Sequence, residues 1–228
     1  AFKCIPKEEP KEALKIKEML VQEYEQWRED VSFPVKPQKL LYDIRRIMGP
    51  DDIVISDVGA HKMWISRHYN CYKPQTCLIS NGFASMGMAV PGAVAAKLVD
   101  PDRRVLAIAG DGGFLMNCQE METAVRLGVS IVVLIVNDGS YGLIKWKQED
   151  RFGFHCDVDF GNPDFAAMAE SMGVKGFRLN RTEDLIPTLE EAFEAGRPAI
   201  IDCPIDYREN TKLTSHLKEV MEKLKMGE

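Results

Sequence analysis

The sequence predicts an α/β fold, a three-layer sandwich in which a mostly parallel sheet lies between helices. Three observations support this prediction. Apolar, β-branched runs of strand length alternate with segments of helical spacing, and glycine-bearing turns follow several of the runs. In addition, 45% of the 228 residues are apolar and 28% are charged, which suffices to bury one substantial core.

The first segment, residues 10–29, is highly charged but has an apolar stripe at helical spacing. The stripe consists of Ala13, Ile16, Leu20, Tyr24 and Trp27. Prolines within residues 32–37 end the helix. Two interpretations remain open for residues 1–37: a linker and leader helix from an upstream domain, or a peripheral helix that packs its stripe on the same domain.

Helix–strand alternation fills residues 38–206, which we predict to be the main domain. Strands are predicted over residues 53–56, 76–79, 105–109, 130–136, 174–179 and 199–203. Helices are predicted over residues 39–48, 81–96, 142–149, 165–173 and 183–195, with a further helix between the third and fourth strands. Residues 207–228 are predicted to be a C-terminal tail, in which Thr214 to Lys225 form an amphipathic helix with a Ser/Thr cap.

Composition excludes several classes of protein. A net charge of -6 disfavours nucleic acid as a partner, because binding its backbone requires clustered Lys and Arg. The longest apolar run, Ile131 to Val136, has six residues, which is too short to cross a membrane. No signal peptide is visible. The six cysteines contain no C-x-x-C pair and are predicted to be reduced, mostly buried thiols of a cytoplasmic protein.

Two acidic turns are the strongest functional signal. Asp111 follows the run at residues 105–109, and Asp138 follows the run at residues 130–136. A strand–helix–strand crossover makes the two strands parallel, so both carboxylates reach the edge where open α/β sheets bind ligands. Two adjacent carboxylates repel each other unless a cation lies between them. A hard divalent ion such as Mg²⁺ fits, and it usually brings a phosphate.

Each turn taken alone has a purely structural interpretation. Gly110–Gly113 would serve as an ordinary strand-to-helix turn, and Asn137–Gly139 is a hairpin signal. Residues 143–148, however, lack the period-two pattern of a return strand and are better interpreted as a helix. The combination of the two turns at this spacing carries the specificity.

These residues resemble a known family. Gly110-Asp111-Gly112, 24 intervening residues and then Asn137-Asp138 are similar to the thiamine-diphosphate motif of the pyruvate-oxidase and acetolactate-synthase group. Residues 57–64, 80–87 and 110–127 resemble acetolactate synthase large chains, especially the catabolic type. The resemblance extends from about Val35 to Asp206.

The resemblance implies that the cofactors are thiamine diphosphate and Mg²⁺. The implied metal ligands are the side chains of Asp111 and Asp138 and the backbone carbonyl of Ser140. Many relatives have asparagine at the position of Asp138, so the extra negative charge is expected to raise metal affinity and its sensitivity to acid. Backbone N–H groups of Gly112, Gly113 and residues 140–142 would face the diphosphate.

The remaining implied cofactor contacts lie on two other loops. His61 would offer a hydrogen bond or positive charge to phosphate, although a lone histidine is more often a surface or packing residue. Met86, which on the sequence alone would be interpreted as a core residue, would support the bent conformation of the cofactor. The Ala84 carbonyl would accept a hydrogen bond from the 4′-amino group of the cofactor. The full predicted set is Gly59, Ala60, His61, Ala84, Ser85, Met86, Gly110, Asp111, Gly112, Gly113, Asp138, Ser140, Tyr141, Gly142 and Leu143.

No catalytic residue is expected in this chain. In the family, a glutamate from a pyrimidine-binding domain upstream in the chain, usually in the partner subunit, activates the cofactor, and no counterpart is found here. Glu120 and Glu122 are interpreted as exposed helix residues. Trp146 lies one position, or about 100° around a helix, before the tryptophan that favours 2-oxobutyrate, so pyruvate is expected as both donor and acceptor.

The implied function is that of an acetolactate synthase, a transferase or lyase that decarboxylates pyruvate and joins it to a second pyruvate. Such enzymes serve branched-chain amino acid or acetoin biosynthesis. The whole enzyme is expected to be a homo-oligomer, such as a dimer, and FAD is a further cofactor candidate for it. The isolated chain is expected to be inactive. Two alternatives stay open: another 2-oxo acid decarboxylase or oxidase, or a stand-alone subunit that needs a separate pyrimidine-domain chain.

Overall fold

The structure, a computed structural model, describes residues 11–213 except for the side chains at positions 12, 13 and 17. Its centre is a six-stranded sheet with the order β2-β1-β3-β4-β6-β5, and every pair of neighbouring strands is parallel. The strands are β1 Ile53–Ser56, β2 Cys77–Ile79, β3 Val105–Gly110, β4 Val132–Asn137, β5 Lys175–Arg178 and β6 Ala199–Pro204. The predicted α/β fold class is confirmed.

Helices connect the strands within the described part of the chain. They are α1 Lys11–Glu25, α2 Pro37–Ile47, α3 Ala60–His68, α4 Ala89–Val99, α5 Asp111–Met116, α6 Glu120–Arg126, α7 Gly142–Phe152, α8 Phe165–Ser171 and α9 Leu185–Glu194, with a 3₁₀ turn at Thr182–Asp184. None of the helices in this part of the chain is long and apolar enough to cross a membrane.

The sheet separates two apolar cores. Alternate residues of β4 point to opposite faces, with Leu134 in one cluster and Ile135 in the other. The first cluster includes residues of α2, α3 and α9, and the second includes residues of α4, α5, α6 and α8. Because both faces are covered, the central strands are apolar throughout rather than alternating with polar residues.

The helix predicted over residues 81–96 is wrong in its first half. Residues 81–88 form an irregular loop, and α4 begins at Ala89. Within the loop Ala84 has φ 51° and Gly87 has φ 87°, values that an α-helix does not permit. The buried carboxylate of Asp57 accepts hydrogen bonds from the backbone N–H groups of Gly87 at 2.9 Å and Ala89 at 3.1 Å, which fixes the start of α4.

The N-terminal helix α1 packs on α2. The ring of Tyr24 lies 4.9 Å from that of Tyr42, its hydroxyl donates to the Leu41 carbonyl at 3.3 Å, and Glu23 pairs with Arg67 at 2.9 Å. Residues 1–10, the predicted helix at 214–225 and the Ala13 side chain lie outside the described residues. The domain boundaries therefore stay a prediction.

The cysteine prediction is partly wrong. The five described cysteines are free thiols, but only Cys203 is buried. Cys71 and Cys156 are exposed, because they lie on loops outside the strands and helices. Cys77 and Cys118 are half-buried; Cys4 lies outside the described residues.

Candidate functional site

A cavity opens at the carboxyl edge of the sheet, where β1, β3 and β4 end. Its volume is about 110 Å³. All the predicted site residues line it except Ala84 and Ser85, which lie in the irregular loop beside the lining residue Met86. The other lining residues are Val58, Val136, Ile144 and Tyr207. Glu120 and Glu122, on α6, are not among them.

Asp111 connects the two acidic turns. It is 1% exposed, because it is the first residue of α5 directly after β3. Its Oδ1 accepts from the backbone N–H of Gly112 at 2.8 Å, and its Oδ2 accepts from the N–H of Gly139 at 2.8 Å and from Asn162 Nδ2 at 2.7 Å. Burial raises the pKa of this carboxyl, and the hydrogen bond from Asn162 opposes the rise. The turn after β4 is thereby attached to the turn after β3.

Asp138 lies close enough to Asp111 for the two charges to repel. Burial raises the pKa of Asp138 to about 6, and the negative charge of Asp111 contributes to the rise. A hydrogen bond from Ser140 Oγ at 2.8 Å favours the ionised form. Hydrogen bonds offset only part of the cost of burying these two carboxylates. Their position on one small cavity is the arrangement that the strand–helix–strand unit predicts.

Glycines make the walls of this cavity possible. A Cβ on Gly142 would lie 2.6 Å from Asp138 Oδ2, a Cβ on Gly112 would lie 2.9 Å from the Tyr141 ring, and a Cβ on Gly59 would lie 2.7 Å from the His61 ring. Contacts shorter than 3.0 Å are not tolerated by real side chains, so a larger residue would displace its neighbour. The glycines therefore let the acidic and imidazole groups approach the backbone.

His61 lies in the first turn of α3 and is 4% exposed. Burial lowers the pKa of its imidazole to about 4, so the ring is neutral at pH 7. A neutral ring offers hydrogen bonding to a ligand but no positive charge. Its Nε2 is buried and has no hydrogen-bond partner among the described residues.

Trp146 does not project into this cavity. Its side chain is 5% exposed and packs in the core formed with α2, α3 and α9. It lines a neighbouring cavity of about 270 Å³, which also touches Asp138 and Tyr207. That Trp146 does not select the substrate stays a prediction.

Three polar residues at or beside the cavity were missed or given no role by the sequence analysis. Asn162 donates hydrogen bonds to Asp111 and, at 2.9 Å, to Asn137 Oδ1, but no sequence pattern predicted this role. Asp57 lies within the resembling segment 57–64 yet had no assigned function. Tyr207 was placed in the tail, although the predicted strand at 199–203 implied that the residues after it reach the same edge of the sheet.

The group that these residues fit is a hard cation with a phosphate ligand. No cluster of three or more His, Cys, Asp or Glu side chains in residues 11–213 could hold a metal ion. A cation between Asp111 and Asp138 would therefore need further oxygens from the backbone and from a ligand, as Mg²⁺ commonly takes them. The unpartnered His61 Nε2, the unpartnered Tyr207 hydroxyl and the glycine-lined walls leave room and polar groups for that ligand.

Comparison with known proteins agrees with this geometry. Residues 57–203 match the family described as "Thiamine pyrophosphate enzyme, C-terminal TPP binding domain". The chain is 38% identical over 189 residues to an acetolactate synthase of Bacillus subtilis and 35% identical over 191 residues to a catabolic acetolactate synthase of Raoultella terrigena. It is 34% identical over 183 residues to a putative thiamine pyrophosphate-containing protein of Bacillus subtilis.

These matches cover 80–83% of this chain but only 32–34% of the relatives. The chain thus spans about a third of the length of the curated relatives it matches. The matched segment starts at Asp57, at the end of β1, and stops at Cys203 in β6, so it contains both acidic turns. The chain belongs to the family of thiamine pyrophosphate enzymes, of which it carries the C-terminal cofactor-binding domain.

Proposed function

We propose that this chain binds thiamine diphosphate through Mg²⁺ and forms the diphosphate-binding half of an acetolactate synthase-like active site. One observation carries the proposal: the carboxylates of Asp111 and Asp138 reach a single glycine-walled cavity from two adjacent parallel strands. The names of the relatives at 35% and 38% identity favour acetolactate synthesis over other uses of the cofactor.

The proposed metal ligands are Asp111, Asp138 and the backbone carbonyl of Ser140. Asn162 and the N–H of Gly139 hold the Asp111 carboxylate in place. The N–H of Gly112 is already bonded to Asp111 and that of Tyr141 to the Val158 carbonyl at 2.9 Å, so Gly113, Ser140 and Gly142 are the better candidates for phosphate contacts. When bound, the cofactor supplies the electron sink that permits decarboxylation of pyruvate and carbon–carbon bond formation.

The role of this chain is to hold and orient the charged end of the cofactor. A cavity of about 110 Å³ is smaller than the roughly 300–1,000 Å³ of complete small-molecule sites. The remaining wall and the activating glutamate are proposed to come from a pyrimidine-binding domain of the same or a partner subunit. The whole enzyme is proposed to be a homo-oligomer, and FAD remains a candidate further cofactor for it.

Calorimetric titration of the chain with thiamine diphosphate tests the cofactor proposal. Binding is expected with Mg²⁺ present and is expected to vanish when EDTA removes the metal. Asp111→Asn should abolish it and Asp138→Asn should weaken it. Asp164→Asn is the matched control, because Asp164 caps α8 through the Ala167 N–H and asparagine caps equally well. Metal-independent binding, or full affinity in Asp111→Asn, would refute the proposed site.

A second experiment tests the division of labour between domains. The purified chain, supplied with pyruvate, thiamine diphosphate and Mg²⁺, is expected to form no 2-acetolactate because the activating glutamate is proposed to come from the pyrimidine-binding domain. Measurable product from the chain alone would contradict this proposal. The length of the parent reading frame then separates a domain of a larger enzyme from a subunit that needs a separate pyrimidine-domain chain.

A different 2-oxo acid as substrate is the second candidate. One relative is named only as a putative thiamine pyrophosphate-containing protein, and Trp146 is buried in the core rather than facing the cofactor cavity. Assaying the full-length parent on a panel of 2-oxo acids decides between the two. Preference for pyruvate supports acetolactate synthesis, and preference for another acid supports a decarboxylase or oxidase.

A further inference from the structure

The hydroxyl of Tyr207 is a buried donor without an assigned role. Tyr207 lies three residues beyond β6, whose end is in register with the end of β4. This placement brings the phenol beside the turn that carries Asp138. The hydroxyl is inaccessible to solvent and has no hydrogen-bond acceptor among the described residues, although the backbone of His61 lies near enough to its oxygen to oppose the rise in the Tyr207 pKa.

Tyr207 lines both cavities at this edge of the sheet. The cofactor cavity and the neighbouring cavity share Asp138, Ser140, Gly142 and Tyr207 as walls. Asp111 also lines the cofactor cavity, so the phenol shares that cavity with both carboxylates, and burial followed by their negative charges raises the pKa of Tyr207. The phenol is therefore positioned beside the proposed metal and diphosphate site.

A buried hydroxyl that lacks a partner is destabilising, so such groups in native proteins usually meet a ligand or water. An acceptor for the Tyr207 hydroxyl must be able to approach it although Asp111 and Asp138 are close by. A phosphate oxygen bridged to those carboxylates by a cation meets the requirement, whereas an apolar ligand leaves the hydroxyl unsatisfied. A phenol at neutral pH keeps its proton and hence remains a donor.

We propose that the Tyr207 hydroxyl donates a hydrogen bond to the Mg²⁺-bound diphosphate and is a cofactor-binding residue of this site. The proposal rests on the proposed function and adds to it a residue outside the matched segment 57–203. The prediction is specific to the phosphate end. Tyr207 should therefore affect binding of inorganic pyrophosphate as well as of the complete cofactor.

Tyr207→Phe tests this with two readouts. Without ligand, the variant should unfold at the same or a higher temperature, because the deletion removes an unpartnered buried hydroxyl. With Mg²⁺ present, its affinity for thiamine diphosphate and for pyrophosphate should fall about tenfold, as expected for loss of one hydrogen bond to a charged group. Tyr42→Phe is the matched control, because Tyr42 lies on α2 and lines neither cavity.

The outcomes separate the two proposals. If the unchanged chain binds and Tyr207→Phe binds equally well, the Tyr207 assignment is wrong and the cofactor site stands. A lower melting temperature of the ligand-free variant with unchanged affinity also overturns the assignment, since it indicates a structural hydroxyl. If the unchanged chain binds neither ligand with Mg²⁺, the proposed function itself fails.

Discussion

At the scale of single residues, the site depends on glycines as much as on acids. Asp138 Oδ2 occupies the space that a Cβ on Gly142 would need, at 2.6 Å. The carboxylate can therefore approach the start of α7 only because position 142 has no side chain. Loss of that space would move a proposed metal ligand without altering its chemistry.

We expect Gly142→Ala to weaken Mg²⁺-dependent cofactor binding by about 10- to 100-fold, the usual effect of disturbing a group that orients a metal ligand. Calorimetry at fixed Mg²⁺ measures the change. Gly161→Ala is the control, because a Cβ there meets no atom within 4 Å and should leave the affinity unchanged. Equal affinity in both variants would show that Asp138 is not constrained by position 142.

His61 makes stability depend on pH. Burial lowers its pKa from 6.5 to about 4, so between these values the unfolded chain binds more protons and acidification favours unfolding. The contribution of His61 to the free energy of unfolding should fall by up to about 3 kcal/mol from pH 6.5 to pH 4, whereas Asp138, whose pKa is raised to about 6, acts in the opposite direction. Urea titrations across this range should show a shallower pH slope in His61→Gln. Identical slopes would mean that the imidazole is not buried in neutral form.

At the scale of elements, one carboxylate organises the loop that carries Met86. Asp57 accepts from the N–H groups of Val58, Gly87 and Ala89. It thereby joins the end of β1 to the first residue of α4, some 30 positions away in the chain. The positive φ values of Ala84 and Gly87 are tolerated because these bonds fix the loop around them.

Asp57→Asn should lower the free energy of unfolding by about 1–3 kcal/mol. Whichever way the amide is turned, its NH₂ group faces a backbone N–H that now lacks an acceptor. Urea denaturation measures the loss. Asp102→Asn, at an exposed turn before β3, should change stability by less than about 0.5 kcal/mol. A neutral result for Asp57→Asn would show that the loop does not depend on this carboxylate.

The elements that the sequence predicted well are those whose signal is local. The strands β1, β3 and β4 begin and end within two residues of their predicted bounds, because an apolar β-branched run between two turns favours a buried strand of that length. The loop at 81–88 was predicted as helix because its small residues carry no sign of the distant Asp57 contact. The acid pair was predicted from the two strand ends and their spacing, and the strand predicted at 199–203 leads to Tyr207, whereas Asn162 reaches Asp111 only through tertiary packing.

At the scale of the whole molecule, large apolar side chains remain uncovered at the cavity edge. Phe83 is fully exposed, and Met116, Tyr141 and Ile144 are 40–53% exposed. Phe83 lies in the loop after β2, Met116 at the end of α5 after β3, and Tyr141 and Ile144 at the start of α7 after β4. A cluster of this kind commonly marks an interface.

We expect the isolated chain to self-associate through this edge. Sedimentation across a concentration series should show a rising average mass, because mass action favours association of exposed apolar faces. Phe83→Ser should reduce the effect, whereas Val99→Ser, an exposed residue at the end of α4, serves as the control. A monomer at every concentration would contradict the expectation.

The parallel arrangement of every described strand pair also determines where the protein can be attached to a surface without covering the cavity. All the groups proposed to bind the cofactor follow carboxyl ends of strands, so the turns preceding the strands lie on the far side, about 20 Å away along a six-residue strand. The exposed turn at Gly196 and Arg197, just before β6, is such a place. A biosensor surface coupled there would leave the cavity facing the flowing solution.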